Sequence, residues 1–412
     1  MNNMATKENV VIWGTGQMGA SKLLLELLQP FYRVVAYADS NERKWGTLLN
    51  GLEVVGKKKV KEYYVQKKLS RIIIAVHDKD VAYEIREDIS RTIEDIIINW
   101  YPEIATKVEN RYIYEKKKNL KYENYSVNYI KQAEIWVDNL MSEVHFWADN
   151  VARKGTKGYE GYKKRLLNKN FESDLCENIQ YVEAYLEKIC KPIVYDIGCG
   201  LAPRFGTYLP SGKEIILTGI DPLAYYYNEI NKECAPYSYR SIEFGMFEFL
   251  SAFKEKQSAD VVIINNALDH CIDPYKSILE ALRILKVNGL LHLNHGRAEG
   301  VNGKYEGLHQ WNLDYNEKDE FIIWNNDMAI NISEKLRNVA DIIVTHSDDS
   351  EEREQQFICV EIIKRKEIVP VTQDEIVVDL NRIAFVLDKI MNKWASPVNN
   401  TEFGSMLRNA EG

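Results

Sequence analysis

The sequence predicts an α/β protein of two doubly wound domains joined by a helical segment, the second sheet closing in an antiparallel hairpin. Three observations predict it. Residues 10–39 and 193–221 each read as strand, glycine turn, helix and a second strand ending in an acid. Residues 259–295 read as strand, polar loop, amphipathic helix, turn and strand. The 412 residues also exceed what one hydrophobic core usually sustains, so more than one domain is expected.

In the first domain, residues 1–110, apolar residues 10–13 form a strand and Gly14, Gly16 and Gly19 follow in G-x-G-x-x-G spacing before an amphipathic helix. A strand over residues 33–38 ends in Asp39, about twenty residues past the last glycine, where the dinucleotide fingerprint places its ribose-binding acid. Strands over 72–76 and 95–100 extend the sheet, a helix after His77 covers it, and the domain closes near Pro102 and Glu103. Residues 111–190 form a helical linker or lid, because Ile135, Leu140, Val144 and Trp147 recur at helical spacing. Trp147, Tyr159 and Tyr162 are its lid candidates.

In the second domain, residues 191–366, a buried strand over 193–195 leads to Asp196, Gly198 and Gly200, where the backbone must turn tightly and let a ligand approach. Asp221 ends the next strand, and its carboxylate can accept hydrogen bonds from both hydroxyls of a ribose. Residues 241–245 form a third strand, followed by Phe247 and Glu248, and the strand over 259–265 ends in Asn265. Asp273 and Pro274 read as a helix start, Asp as N-cap and Pro in the first turn. Another helix is expected to start at Ser333, and 342–345 and 357–363 form the hairpin, joined by an acidic, mobile stretch over 347–354. In the tail, residues 367–412, positions 373–394 have helical periodicity and 396–412 read as frayed. Self-association through this helix is compatible with the sequence but not specified by it.

The net charge of −8 and the absence of a basic stripe exclude a broad nucleic-acid surface, since the lysines over 57–61 and 116–118 are short runs flanked by acids and tyrosines. No apolar stretch approaches the ~20 residues that span a bilayer, and the N-terminus lacks a signal peptide, so a cytoplasmic protein is expected. The six cysteines are scattered without a C-x-x-C pair or zinc spacing and read as reduced, mostly buried thiols.

Over residues 193–365 the order of these motifs resembles the class I S-adenosylmethionine-dependent methyltransferases, especially the bacterial group with a Leu-Glu-His loop after the fourth strand. The resemblance implies that Asp196, Gly198 and Gly200 hold the methionine moiety of the cofactor, Asp221 its ribose, and Phe247 and Glu248 its adenine, with Asn265 bordering it. The chain departs from the family's D-x-G-x-G-x-G at Ala202, Pro203 and Arg204, which leaves the shape of that turn open. Residues 37–56 resemble the small Rossmann-like domains of bacterial sugar acetyltransferases and nucleotide-sugar-modifying enzymes. Three roles are therefore open for Gly14, Gly16, Gly19 and Asp39: a nucleotide-sugar site, a dinucleotide site, or a turn within a docking domain.

Methyl transfer from a sulfonium is an in-line displacement, so positioning dominates, and a hydroxyl acceptor gains from a general base. His270, His295 and His309 are the candidate bases, while His292, between Leu291 and Leu293, reads as core. Glu299, Tyr305 and Trp311, in the loop over 295–312, are candidate sugar contacts, since a sugar presents an apolar face and a rim of hydroxyls. Asp269, Asp273 and His270 could instead hold a metal, but the capping role of Asp273 argues for no metal. The expected protein is a methyltransferase acting on a hydroxyl of a sugar or nucleotide-sugar in surface polysaccharide synthesis. A methyltransferase of another small metabolite and a cofactor-sensing protein without turnover are the alternatives.

Overall fold

The computed structural model describes residues 7–171, 178–234, 241–347 and 356–394. The chain divides into two compact units after Leu120. The expected limit at 110 falls inside a helix, Tyr101–Lys117, whose Pro102 lies in the first turn, and Tyr112 of this helix donates from its hydroxyl to Glu26. Pro102 thus opens the last helix of the first unit.

The first unit is built on β1 (Glu8–Trp13), β2 (Tyr32–Ala38), β3 (Leu48–Leu49), β4 (Leu52–Val55), β5 (Arg71–Ile74) and β6 (Ile97–Trp100). Their order is β3-β4-β2-β1-β5-β6, parallel except for β3 against β4. Val10, Val11 and Ile12 are fully buried in the central strand, as β-branched residues of a sheet covered on both faces should be. The turn after β1 requires its glycines: Gly14 has φ +108°, and a Cβ on Gly19 would overlap the carbonyl oxygen of Gly14.

The second unit's main sheet comprises β7 (Ile193–Ile197), β8 (Ile216–Asp221), β9 (Glu243–Phe244), β10 (Ala259–Asn265) and β11 (Leu285–Gly296). A small antiparallel meander follows, β12 (Asn312–Tyr315), β13 (Phe321–Trp324) and β14 (Ala329–Asn331), before β15 (Ala340–His346) and β16 (Phe357–Lys364) complete the main sheet. The main order is β15-β16-β11-β10-β7-β8-β9. β16 runs antiparallel to both of its neighbours, which gives the expected closing hairpin. The strand order reverses between β7 and β10, and a ligand of an open α/β sheet sits outside the carboxyl ends at such a point.

The meander was not legible as strands, and the helix after it is Ile332–Leu336, capped by Asn331 rather than begun at Ser333. Ser333 instead accepts the amide of Phe321 on its hydroxyl. The stretch 348–355 and residues 395–412 lie outside the described residues. One face of the second unit is covered by helices Tyr129–Phe146, Lys157–Leu167 and Gln373–Trp394, with a π-helical turn over Trp147–Ala152. Leu140, Val144 and Val386 are fully buried in this layer. No described helix is long and apolar enough to cross a membrane.

Candidate active site

A cleft opens at the carboxyl ends of β7, β8 and β10. Its wall includes Gly198, Gly200, Asp221, Phe247, Asn265 and His270. Gly198 and Gly200 have φ of +71° and +64°, a conformation that favours glycine. A Cβ on Gly198 would lie 2.7 Å from the Phe247 ring, and one on Gly200 2.6 Å from the Trp147 ring.

Asp196 lies beneath this turn and does not line the cleft: its buried carboxylate accepts the amide of Arg204 at 3.0 Å. Burial raises its pKa to about 6 against the opposing pull of that hydrogen bond and of Arg204 and Arg165. It braces the turn that displays the two glycines. The departure at 202–204 is accommodated by packing, since Pro203 fills the space beside Gly219 where a Cβ would stand, and Arg204 joins the cleft wall.

Asp221 accepts the amides of Gly200 at 3.1 Å and Leu223 at 2.8 Å, one on each oxygen. Burial pushes its pKa up to about 7 despite these bonds. Phe247 forms part of the wall, but Glu248 turns away from it. One oxygen of Glu248 accepts the amides of Ile272 and Asp273, so the expectation that it binds adenine is corrected: it fixes the backbone entering helix Pro274–Ile284. Asp273 is indeed the N-cap of that helix, accepting the amide of Lys276, and its other partner is the Tyr125 hydroxyl. It is committed to structure and adds no ligand for a metal.

Three of the polar residues after β10 converge. The Asp269 carboxylate is fully buried, with Oδ2 2.7 Å from His309 Nδ1, and that nitrogen is 3.2 Å from His270 Nε2. Burial alone would raise Asp269, but its electrostatic interaction with His270 and the His309 hydrogen bond bring it down to about 2. Burial alone would lower His309, but the Asp269 hydrogen bond and charge carry it up to about 9. His309 is thus a cation near neutral pH, a donor to Asp269 rather than a base, and His270 is the imidazole that faces the cleft. The three side chains also bring ligand atoms within 4.8 Å of one another, a spacing compatible with a metal ion.

His295 is buried without a hydrogen-bond partner on either nitrogen and is absent from the cleft wall. Burial drives its pKa down to about 4, so it stays neutral, and its expected catalytic role is corrected to a packing one. Trp311 is likewise corrected from sugar contact to core: it is fully buried and donates Nε1–H to the Cys271 carbonyl at 2.9 Å. The Tyr305 hydroxyl accepts from Asn312 at 2.7 Å, and neither Tyr305 nor Glu299 lines the cleft, although the charge of Glu299 contributes to the raised pKa of His309. Of the lid candidates, Trp147 forms the wall over Gly200, whereas Tyr159 and Tyr162 are buried, Tyr162 donating to Asn231.

Sequence reasoning missed Trp136 and Glu143, which line the cleft with Trp147. Their signal was present: at 136, 143 and 147 they share one face of the helix and its π-helical extension, so Glu143 is an acid on an otherwise apolar stripe.

In the first unit, both oxygens of Asp39 are engaged. One accepts the Asn41 amide, and the other takes the Thr15 amide and hydroxyl and the Lys44 ammonium, 2.9 Å away. Gly14, Gly16 and Gly19 form the adjoining turn and the start of a four-residue helix.

Residues 195–293 match the family model described as "Methyltransferase domain", and residues 6–101 match the one described as "C2185-like, N-terminal". Together with the sheet order and the acid ending β8, the first match makes the protein an enzyme, a class I methyltransferase with S-adenosylmethionine as its cofactor. No curated protein matches the chain in sequence. Among solved structures, the 1,6-didemethyltoxoflavin N1-methyltransferase of Burkholderia thailandensis is similar at 12% identity over 59% of this chain and 93% of that one, with a TM-score of 0.33. The YcgJ protein of Bacillus subtilis is similar at 15% identity over 45% and 97%, with a TM-score of 0.30. The N-methyltransferase NodS of Bradyrhizobium japonicum is similar at 13% identity over 45% and 93%, also at 0.30.

The cleft fits this cofactor by its own chemistry. Asn265 accepts from Asn294 on its side-chain oxygen, while its side-chain amide nitrogen is buried at the wall without a partner, a donor in want of an acceptor. Asp221 supplies acceptor oxygens and Arg204 a cation on the same wall.

Proposed function

We propose that the protein is an O-methyltransferase whose acceptor is a hydroxyl of a small sugar, nucleotide-linked or a glycan precursor, in surface polysaccharide synthesis. The observation that carries this reading is His270 in the cleft wall, backed by the Asp269–His309 pair. A hydroxyl must lose its proton as the new bond forms, and an imidazole at the reaction site can take it. The bound cofactor supplies an electrophilic methyl group on a positively charged sulfur. His270 receives the acceptor's proton at a ring nitrogen, and buried Asp269 stabilises the imidazolium that results. His309, already protonated, keeps Asp269 ionised and fixed in place. Trp136 and Trp147 offer flat apolar faces, and Asn266 a hydrogen-bonding group, which suits a sugar ring.

Residues 1–110 would contribute a nucleotide-sugar site at Gly14, Gly16, Gly19 and Asp39, with Lys44 beside Asp39 as the group for a phosphate. The full chain is expected to bind a uridine diphosphosugar more tightly than NAD, and Asp39→Ala to weaken that binding. A response to NAD alone would overturn this assignment, and a response to neither would leave a docking domain.

The test of the reaction is incubation with methyl-labelled cofactor and a panel of nucleotide sugars, free sugars and amines. Label is expected on a sugar hydroxyl. Label confined to amines would overturn the reading, and His270→Ala is expected to lose at least about 10²-fold in turnover while still binding cofactor.

A further inference from the structure

The only acid that the helical layer contributes to the cleft wall is Glu143, among the described residues. Its Oε1 accepts Trp147 Nε1–H at 2.7 Å, which fixes the side chain against the indole that covers Gly200. Trp136 and Trp147 line the same wall, and aromatic faces attract cations. Arg204, also on the wall, follows the glycine turn and sits beside the Asp196 brace.

We propose that Glu143 is a cation site for the cofactor: its carboxylate faces the sulfonium of S-adenosylmethionine and makes the protein discriminate that charged cofactor from its neutral thioether product. The argument is one of position. With its ribose at Asp221 and the acceptor at His270, the bound cofactor would have its sulfur between the two, so a group facing that sulfur would share the wall with both. Glu143 does, lining the same cleft wall as both Asp221 and His270. Methyl transfer removes the sulfonium charge, so an attraction to Glu143 is strongest before the reaction and fades during it. Such a contact favours the bound cofactor over the transition state and holds the product weakly. The inference rests on the cofactor assignment and is independent of the acceptor's identity.

Titration calorimetry of the full-length protein with S-adenosylmethionine and S-adenosylhomocysteine tests it, in the wild type and in Glu143→Gln, which retains an acceptor for Trp147. The wild type is expected to prefer S-adenosylmethionine by about tenfold or more, the range of a charge-assisted contact. In Glu143→Gln the ratio should fall to near one through loss of S-adenosylmethionine affinity alone, with KM for the cofactor raised. An equal loss for both ligands would overturn the proposal, because both carry the amino-acid ammonium and only one the sulfonium. An unchanged ratio would overturn it too. Failure of the wild type to bind either ligand would overturn the cofactor assignment and this inference with it.

Discussion

Asp269 Oδ2 stands 2.7 Å from His309 Nδ1, on a fully buried carboxylate whose pKa is held down to about 2 by the histidines around it. The pairing has a readable pH signature. His309 is raised to about 9 in the folded protein against an ordinary 6.5, so its contribution to stability is full below about 6.5 and lost as pH rises through about 9. In Asp269→Asn, the His309 ring, followed by nuclear magnetic resonance, should titrate well below 9, and the wild-type decline in melting temperature between pH 6.5 and 9 should flatten. A His309 ring that still titrates near 9 in the variant would show that Asp269 is not its partner.

Asp221 shifts stability in the same direction with pH, in a lower window. Its folded pKa, raised by burial to about 7, exceeds the usual carboxylate value, so its ionisation costs the ligand-free protein stability as pH climbs from about 4 to 7. Above pH 7, Asp221→Asn should melt at a higher temperature than the wild type when no cofactor is present. The ionised carboxylate is the better acceptor for ribose hydroxyls, so wild-type cofactor affinity should rise between pH 6 and 8. Asp221→Ala should lose roughly ten- to a hundredfold in affinity by calorimetry, the range of a charge-assisted hydrogen bond.

Removing Glu248 should damage the fold and spare the cofactor. In Glu248→Ala the amides of Ile272 and Asp273 lose their common acceptor, a change expected to cost about 1–3 kcal/mol by denaturant unfolding. Cofactor affinity in the folded variant should stay within about threefold of wild type. A hundredfold loss of affinity at unchanged stability would return Glu248 to the adenine site.

Gly200→Ala combines two penalties. The backbone there is left-handed, and the added methyl would sit 2.6 Å from the Trp147 ring. Trp147 must move, taking its hydrogen bond to Glu143 with it. Altered indole fluorescence together with weakened cofactor binding is the expected outcome, and unchanged values of both would mean that the indole does not pack on the turn.

The parts of this molecule set by local chemistry were legible in the sequence. Gly14, Gly198 and Gly200 announce turns because left-handed backbone selects glycine, and Asp221 announces the end of β8 because the run before it is short and apolar. Phe247 and Glu248 show where legibility ends: adjacent in sequence, they leave the backbone in different directions, and only the approach of residues 272 and 273 decides which one faces the cleft. The same holds for His270, His295 and His309, which are equally polar on paper. Burial separates them, and it depends on β11 and a distant loop. Trp311 resembled a sugar platform until the meander β12–β14 gave it a core to fill. Glu143 was readable only as an odd acid on an apolar face, since its meaning comes from the sheet opposite.

Helix Gln373–Trp394 lies against Tyr129–Phe146, and the ion pairs Lys389–Glu134 and Lys393–Asp138 join residues 255 positions apart. The main sheet is finished at Lys364, well before that helix begins. During synthesis there is consequently an interval in which every strand that forms the cleft floor exists while the segment bearing Trp136 and Glu143 still lacks these two ion pairs. A chain trimmed before Gln373 would keep every strand of the cleft floor and lose the two ion pairs that tie down the helix bearing Trp136 and Glu143.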